Sequence, residues 1–166
     1  TSRGETNFTP PSSFELGDYD LRLMVNDTDG ASTGWNTYND VVTVNNNIPV
    51  IDFYYQSADE IHQNKTLVMD VDVSDVENAD SSLTFELQYR SPTGNWGSMY
   101  LSTPWYNSSS GKWSANFTAP THAELGDYDV RMRVTDDDNS ISNWSISIDS
   151  FTLNKGPEWS YETDAN

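Results

Sequence analysis

Carboxylate and amide side chains cluster at two positions in the chain and at one Asn-rich junction. Ca²⁺ binds about 6 to 8 oxygen atoms from carboxylates, amides and carbonyls, so converging acidic loops are candidate calcium sites. We predict such a site from the following residues: Asn46, Asp75, Glu77, Asp80, Asp136 and Asp138. The alternative is that Asp and Asn occur here only because turns favour them. No complete EF-hand pattern is present to decide between the two.

Aromatic residues crowd a second region, between residues 96 and 113. Stacked rings are a common way of holding sugars, which makes a carbohydrate-binding face conceivable at four of them: Trp96, Tyr100, Trp105 and Tyr106. The alternative is that these rings complete a core that is short of aliphatic side chains.

The sequence also contains acceptor patterns for N-glycosylation. Asn-X-Ser/Thr motifs without a central Pro occur at Asn7, Asn26, Asn64, Asn107, Asn116 and Asn143. At Asn7 the motif is followed by Pro10, which disfavours its use. We predict glycans at some of the other five in a secreted protein.

Residues that could carry catalysis are few. His62 and His122 are the only imidazoles, and the chain has no Cys. The many carboxylates lie in polar loops, where no burial would raise a pKa for general acid work. We therefore expect that the protein is not an enzyme and that Ca²⁺ is its only candidate cofactor.

The charge balance narrows the classes of partner. The 166 residues include 26 acidic and 8 basic side chains, giving a formal net charge of −18. Such a surface repels a phosphate backbone, so nucleic-acid binding is not expected. No apolar segment approaches the roughly 18 residues needed to cross a bilayer, so no membrane contact by this segment is expected either.

The elements that position these residues follow from an internal repeat. Residues 7–25 read NFTPPSSFELGDYDLRLMV and residues 116–134 read NFTAPTHAELGDYDVRMRV, with 12 of 19 positions identical at an offset of 109. We interpret residues 48–155 as a complete repeat of about 108 residues. Residues 1–47 are then the C-terminal part of a preceding repeat, and residues 156–166 begin a following one or a linker, as expected of a slice from a longer chain.

Within the complete repeat, apolar residues alternate with polar ones, which indicates half-buried strands. Leu67 to Val73, Leu83 to Tyr89 and Tyr128 to Val134 all follow this period of two. Near the end, Ile146 and Ile148 are out of phase with Phe151 and Leu153, so we predict a bulge near residues 149–150 that keeps both pairs inside. About seven strands in 108 residues predict an all-β sandwich.

Both copies contain Leu-Gly-Asp-Tyr before an alternating strand, at Leu16–Tyr19 and Leu125–Tyr128. A Tyr at this place, whose hydroxyl reaches nearby backbone, is the tyrosine corner of Greek-key sandwiches. With this corner, the acidic runs at 25–30 and 134–139 and the Asn-Asn-Asn-Ile-Pro junction at 45–49, the chain resembles immunoglobulin-like and PKD-type repeats. Such repeats occur in large secreted and surface proteins of microbes, especially archaea. The Trp-Asp-Phe-Gly-Asp-Gly signature of PKD domains is absent.

The resemblance implies immunoglobulin-like Greek-key β-sandwich repeats in an extracellular or cell-surface setting. We expect a structural or adhesive rod whose partners are neighbouring repeats of the same chain and other copies in a surface layer or filament, with calcium stiffening the joints. Two alternatives remain: a carbohydrate-binding accessory module of a secreted enzyme, and a filament subunit that assembles by strand donation.

Overall fold

The computed structural model describes residues 7–11 and 14–156. The chain divides into two compact units, Thr1–Asn47 and Ile48–Asn166. The described residues contain no α-helix, and hence no helix that is long and apolar enough to span a membrane. The predicted start of a third repeat, at Pro157, lies outside the described residues.

The first unit contains one antiparallel hairpin. Strand β1 spans Gly17–Leu23 and strand β2 spans Asn36–Val44. Their register pairs Gly17 with Val44 and Leu23 with Asn36. Nearly every residue of both strands is exposed.

The second unit is an all-β sandwich of two four-stranded sheets in the described chain. The strands are β3 (Val50–Gln56), β4 (Glu60–His62), β5 (Thr66–Ser74), β6 (Thr84–Arg90), β7 (Trp105–Asn107), β8 (Lys112–Thr118), β9 (Gly126–Thr135) and β10 (Ser145–Asn154). One sheet has the order β4-β10-β9-β6 and the other has the order β3-β5-β8-β7.

The core lies between these two sheets and confirms the alternation that the sequence predicted. Leu67 of β5, Phe117 of β8, Val130 of β9 and Leu153 of β10 are completely buried. Residues from β6, including Phe85 and Leu87, join the same cluster. Strands β5, β6, β8, β9 and β10 therefore each contribute an apolar face to this core, as expected where the other face meets water.

The described part of the second unit has eight strands, where about seven were expected. The additional element is the three-residue strand β4, which follows β3 after a short connection. Strand β3 pairs with β5 in one sheet, whereas β4 pairs with β10 in the other and runs parallel to it. The first segment of this unit thus crosses from one sheet to the other within residues 57–59.

Strand β10 contains the predicted irregularity. Its register with β9 shifts between Ser147 and Phe151, and Asp149 has a φ of 48°. The prediction that both apolar pairs face the core is wrong, however, because Ile146 and Ile148 are 52% and 61% exposed. Ile146 lies opposite Arg131, on the outer face of the sheet, so the bulge turns only the later pair inward.

The β1–β2 hairpin and the β9–β10 hairpin share their backbone geometry at the offset of 109. Tyr19 donates its hydroxyl hydrogen to the Glu15 carbonyl at 2.6 Å, and Tyr128 donates to the Glu124 carbonyl at 2.8 Å. These are the predicted tyrosine corners. The bulge also recurs, since Asp40 has a φ of 53° where Asp149 has 48°.

Candidate functional site

The two acidic loops of the second unit lie at the same end of the sandwich. Residues 75–83 connect Ser74 at the end of β5 with Thr84 at the start of β6. Thr84 lies opposite Thr135, the last residue of β9. The connection from Asp75 and the loop that begins at Asp136 therefore both extend from this end.

Asp75 organises the first loop. Its Oδ2 atom accepts hydrogen bonds from the amides of Glu77 and Asn78, at 3.1 and 2.9 Å, and from the Asn78 side chain at 3.0 Å. Its Oδ1 atom is buried and has no hydrogen-bond partner. A buried carboxylate oxygen without a partner is costly unless a cation or water completes its coordination.

Asp136 organises the second loop. It is 5% exposed, and its Oδ1 atom accepts a hydrogen bond from the Ser140 amide at 2.7 Å. Asp138 is exposed, and Asp80 lies in a short 3-10 turn whose carbonyl accepts the Trp113 indole hydrogen at 2.9 Å. In the first unit, Asp27 organises the equivalent loop, because its Oδ1 atom accepts from the Asp29 and Ala31 amides.

The structure brings the loops to one end but does not assemble their carboxylates. No group of three or more His, Cys, Asp or Glu side chains is arranged to hold a metal ion in the described residues. Asn46 belongs to the first unit. The calcium site predicted from the sequence stays a prediction.

The four aromatic candidates for sugar binding lie in different environments. Tyr100 packs against Tyr89 and Phe117 of the core. Tyr106 packs edge-on against the Trp113 ring at 5.9 Å. Trp105 is 40% exposed on β7, whereas Trp96 lies against the opposite sheet. Carbohydrate binding by these four rings stays a prediction.

Trp96 belongs to a stack of arginines and tryptophans that the sequence did not reveal. The guanidinium groups of Arg90 and Arg131 lie 4.9 and 4.6 Å from the centre of its ring. Arg131 and Arg133 also lie 4.2 and 4.5 Å from the Trp144 ring. Cation–π contacts of this kind contribute about 0.5–1 kcal/mol each at exposed sites, so the stack stabilises packing on the outer face of β6 and β9.

The equivalent contact exists in the first unit. Arg22 lies 5.1 Å from the centre of the Trp35 ring, and these residues correspond to Arg131 and Trp144 at the offset of 109. An identical spacing of Arg and Trp in both copies was the only sequence signal available for this contact.

The short strand β4, which follows the first strand β3 of the second unit, is joined to the last strand β10 by backbone pairing, which we call the terminal-strand clamp (β4 with β10). Thr152, Leu153 and Asn154 pair in parallel with Glu60, Ile61 and His62. The Thr152 amide donates to the Asp59 carbonyl at 2.9 Å, and the Gln63 amide donates to the Asn154 carbonyl at 3.0 Å. The Asn154 side chain donates to Glu60 at 2.6 Å.

A polar side-chain network joins β3 to the bulge of β10. The Tyr54 hydroxyl donates to Gln56 Oε1 at 2.8 Å, and Ser150 donates to the same oxygen at 2.8 Å. The Gln56 side-chain amide also donates to the Ser150 carbonyl. Burial raises the pKa of Tyr54 to about 12, and its contact with Ser150 only partly offsets that effect.

The bulge itself is held by Asp129. Its Oδ1 atom accepts from the Asp149 amide at 2.9 Å, and its Oδ2 atom pairs with Arg90. Burial acts to raise the pKa of Asp129, but the Asp149 hydrogen bond and Arg90 outweigh it and hold the pKa below its usual value.

The glycosylation candidates divide by exposure. Asn26, Asn64 and Asn143 are exposed, and Asn64 has a φ of 64° in a turn. Asn107 and Asn116 are half-buried, and Asn107 Oδ1 accepts a hydrogen bond from the Ser109 amide at 3.1 Å.

No protein-family model and no curated protein matches this chain. Its function is therefore inferred from the geometry.

Proposed function

We propose that the chain is a non-enzymatic structural segment of an extracellular or cell-envelope protein, and that its immunoglobulin-like units bear tension along a rod. The observation that supports this function is the terminal-strand clamp. It joins the last strand, β10, to β4, which receives a pull on the N-terminal side through β3 and its pairing with β5.

The direction of pairing matters for this role. Parallel strands start at the same end, so a pull on the chain before β4 and after β10 draws them in opposite directions along their length. The three paired positions and their hydrogen bonds are then loaded together. Antiparallel strands pulled from one end separate one bond at a time instead.

Force spectroscopy tests this function. Handles are attached to the full chain at side chains just before and just after the second unit, and the chain is pulled at constant speed. We expect one resisted event that releases about 3.5 Å for each unfolded residue. The substitution Gln56→Ala removes the side-chain network beside the clamp and lowers the unfolding force.

The matched control is Gln88→Ala. This Gln accepts hydrogen bonds from Arg131 at 2.9 and 2.6 Å, away from both terminal strands, so its loss leaves the unfolding force nearly unchanged. Extension of the second unit without a resisted event contradicts the proposal.

We further propose that Ca²⁺ stiffens the acidic end of the second unit. The buried Oδ1 atom of Asp75 and the neighbouring acidic loop at Asp136 support this. A ligand at a hundredfold excess over its Kd stabilises the folded state by about 2.7 kcal/mol. We expect Ca²⁺ to raise the melting temperature above that in KCl of equal ionic strength.

Asp75→Asn keeps the size of the side chain and removes its charge, so the Ca²⁺ effect falls in this variant. Asp59→Asn, in the connection between β3 and β4, is the matched control and retains it. Equal melting temperatures in Ca²⁺ and in chelator would retire the calcium proposal while leaving the mechanical one intact.

A further inference from the structure

One face of the β1–β2 hairpin is apolar and exposed. Leu21 and Leu23 of β1 are each 45% exposed, Val42 of β2 is 38% exposed, and Val25 just beyond β1 is 65% exposed. Two strands alone cannot bury such a face, and an isolated hairpin is marginally stable in water.

The same face is covered in the second unit. At the offset of 109, these four residues correspond to Val130, Met132, Phe151 and Val134, which are between 0% and 1% exposed. They belong to the core cluster together with residues of β5, β6 and β8. The second unit therefore shows what kind of surface covers such a face when it is buried.

The two hairpins match in hydrogen bonding as well as in sequence. The Thr43 hydroxyl donates to Asp18 at 2.7 Å, and the Thr152 hydroxyl donates to Asp127 at 2.6 Å. The Asp40 amide donates to an Asp20 oxygen at 3.0 Å, as the Asp149 amide does to Asp129. The exposed hairpin is thus preformed for the same packing.

We propose that the apolar face of β1–β2 is a binding site for the first six strands of a repeat of this type, here called the front half. In this chain the front half is β3 to β8, that is, residues 48–115 and the last three residues of β8. This inference rests on the repeat architecture of the proposed rod. The occupant is a β-sheet segment whose alternating apolar residues match those of Leu67 to Val73 and Phe85 to Tyr89.

The face also differs from its counterpart in a way that sets specificity. Phe151 packs against Phe117 and Tyr128, with ring centres 5.1 and 5.0 Å apart. Val42 stands in its place in the first unit. A front half that fits β1–β2 fully needs a larger side chain where it faces Val42. The front half of this chain, which faces Phe151 instead, would therefore leave one small void beside Val42.

A graft tests the proposal. Residues 48–115 are duplicated immediately before Asn7 of the full chain, which reproduces the natural join between Ala115 and Asn116. We expect chymotrypsin to cut β1–β2 more than about tenfold more slowly in the graft than in the unmodified chain, because cleavage follows the population of the open form. Adding Val42→Phe with Leu21→Val slows the cut further.

The control is Leu23→Asp within the grafted chain, which places a charge in the covered face and returns the cleavage rate to that of the unmodified chain. Unchanged cleavage in the graft, or protection that survives Leu23→Asp, overturns the proposal. The proposal is also overturned if β1–β2 of the unmodified chain is protected from chymotrypsin only at concentrations where the chain dimerises. A second hairpin would then be the occupant. The force response of the second unit is independent of all these results.

Discussion

Individual tyrosines connect the sequence to the fold most directly. Tyr128 is 2% exposed, and its hydroxyl satisfies a carbonyl four residues earlier in the chain. Burial raises the pKa of Tyr128 to about 12, and Tyr54 in the network beside the clamp reaches about the same value. Both hydroxyls are therefore bound as neutral groups in the folded state.

This leads to a prediction at the residue scale. Because the folded pKa is raised from 10.0 to about 12, the folded state retains protons that the unfolded state loses in this window. Stability is fully present below pH 10 and falls as the pH rises toward 12, by about 1.4 kcal/mol per pH unit for each tyrosine. Urea unfolding at several pH values measures the slope.

Tyr54→Phe and Tyr128→Phe each reduce that slope. A slope that is equal in the parent chain and both variants would contradict the assignment.

At the scale of elements, the β10 bulge decides which residues enter the core. Asp149 adopts a left-handed φ of 48°, which most L residues adopt at a cost and which Asn and Asp tolerate better than the rest. The Asp129 carboxylate compensates by accepting the Asp149 amide hydrogen.

Asp149→Val is predicted to lower the free energy of unfolding by about 1–2 kcal/mol, since a β-branched residue is poorly tolerated at this φ. Asp149→Asn, which tolerates the conformation, is the control and stays close to the parent chain. Urea midpoints at neutral pH report both. If valine proves as stable as asparagine, the bulge is not held in the geometry described.

The elements also show what the sequence could and could not predict. The alternation from Leu67 to Val73 and the position of the bulge followed from the period of two. Strand β4 was missed because three residues carry no periodicity. Ile146 and Ile148 were placed inside because their phase looked like that of a core strand, whereas pairing across from Arg131 puts Ile146 outside. The acidic end could be placed from topology, but the contacts of Trp96 required cross-strand neighbours.

For the whole molecule, the net charge makes stability depend on ionic strength. The formal net charge of −18 opposes compaction, while the ion pairs of the second unit, such as Arg133 with Glu86, are partly exposed and contribute little. Salt shortens the Debye length from about 30 Å at 0.01 M to about 10 Å at 0.1 M. Added salt therefore weakens the long-range repulsion between carboxylates by more free energy than it removes from the short-range ion pairs.

NaCl is therefore predicted to raise the melting temperature. The shift is about 4–8 °C for each 1 kcal/mol added to the free energy of unfolding of a unit of about 100 residues. Calorimetry across a salt series measures this effect. At pH close to the isoelectric point of about 4.1 the net charge vanishes and the salt effect shrinks. Destabilisation by salt at neutral pH would mean that attractive ion pairs outweigh the repulsion.

The central claim about the molecule is that one hairpin design occurs twice, completed by a front half in the second unit and uncovered in the first. Amide hydrogen exchange of the unmodified chain tests it most directly. We predict that β9 and β10 exchange only on global unfolding of their unit, while β1 and β2, with the same hydrogen bonds, exchange orders of magnitude faster. Equal protection of the two hairpins would contradict the claim.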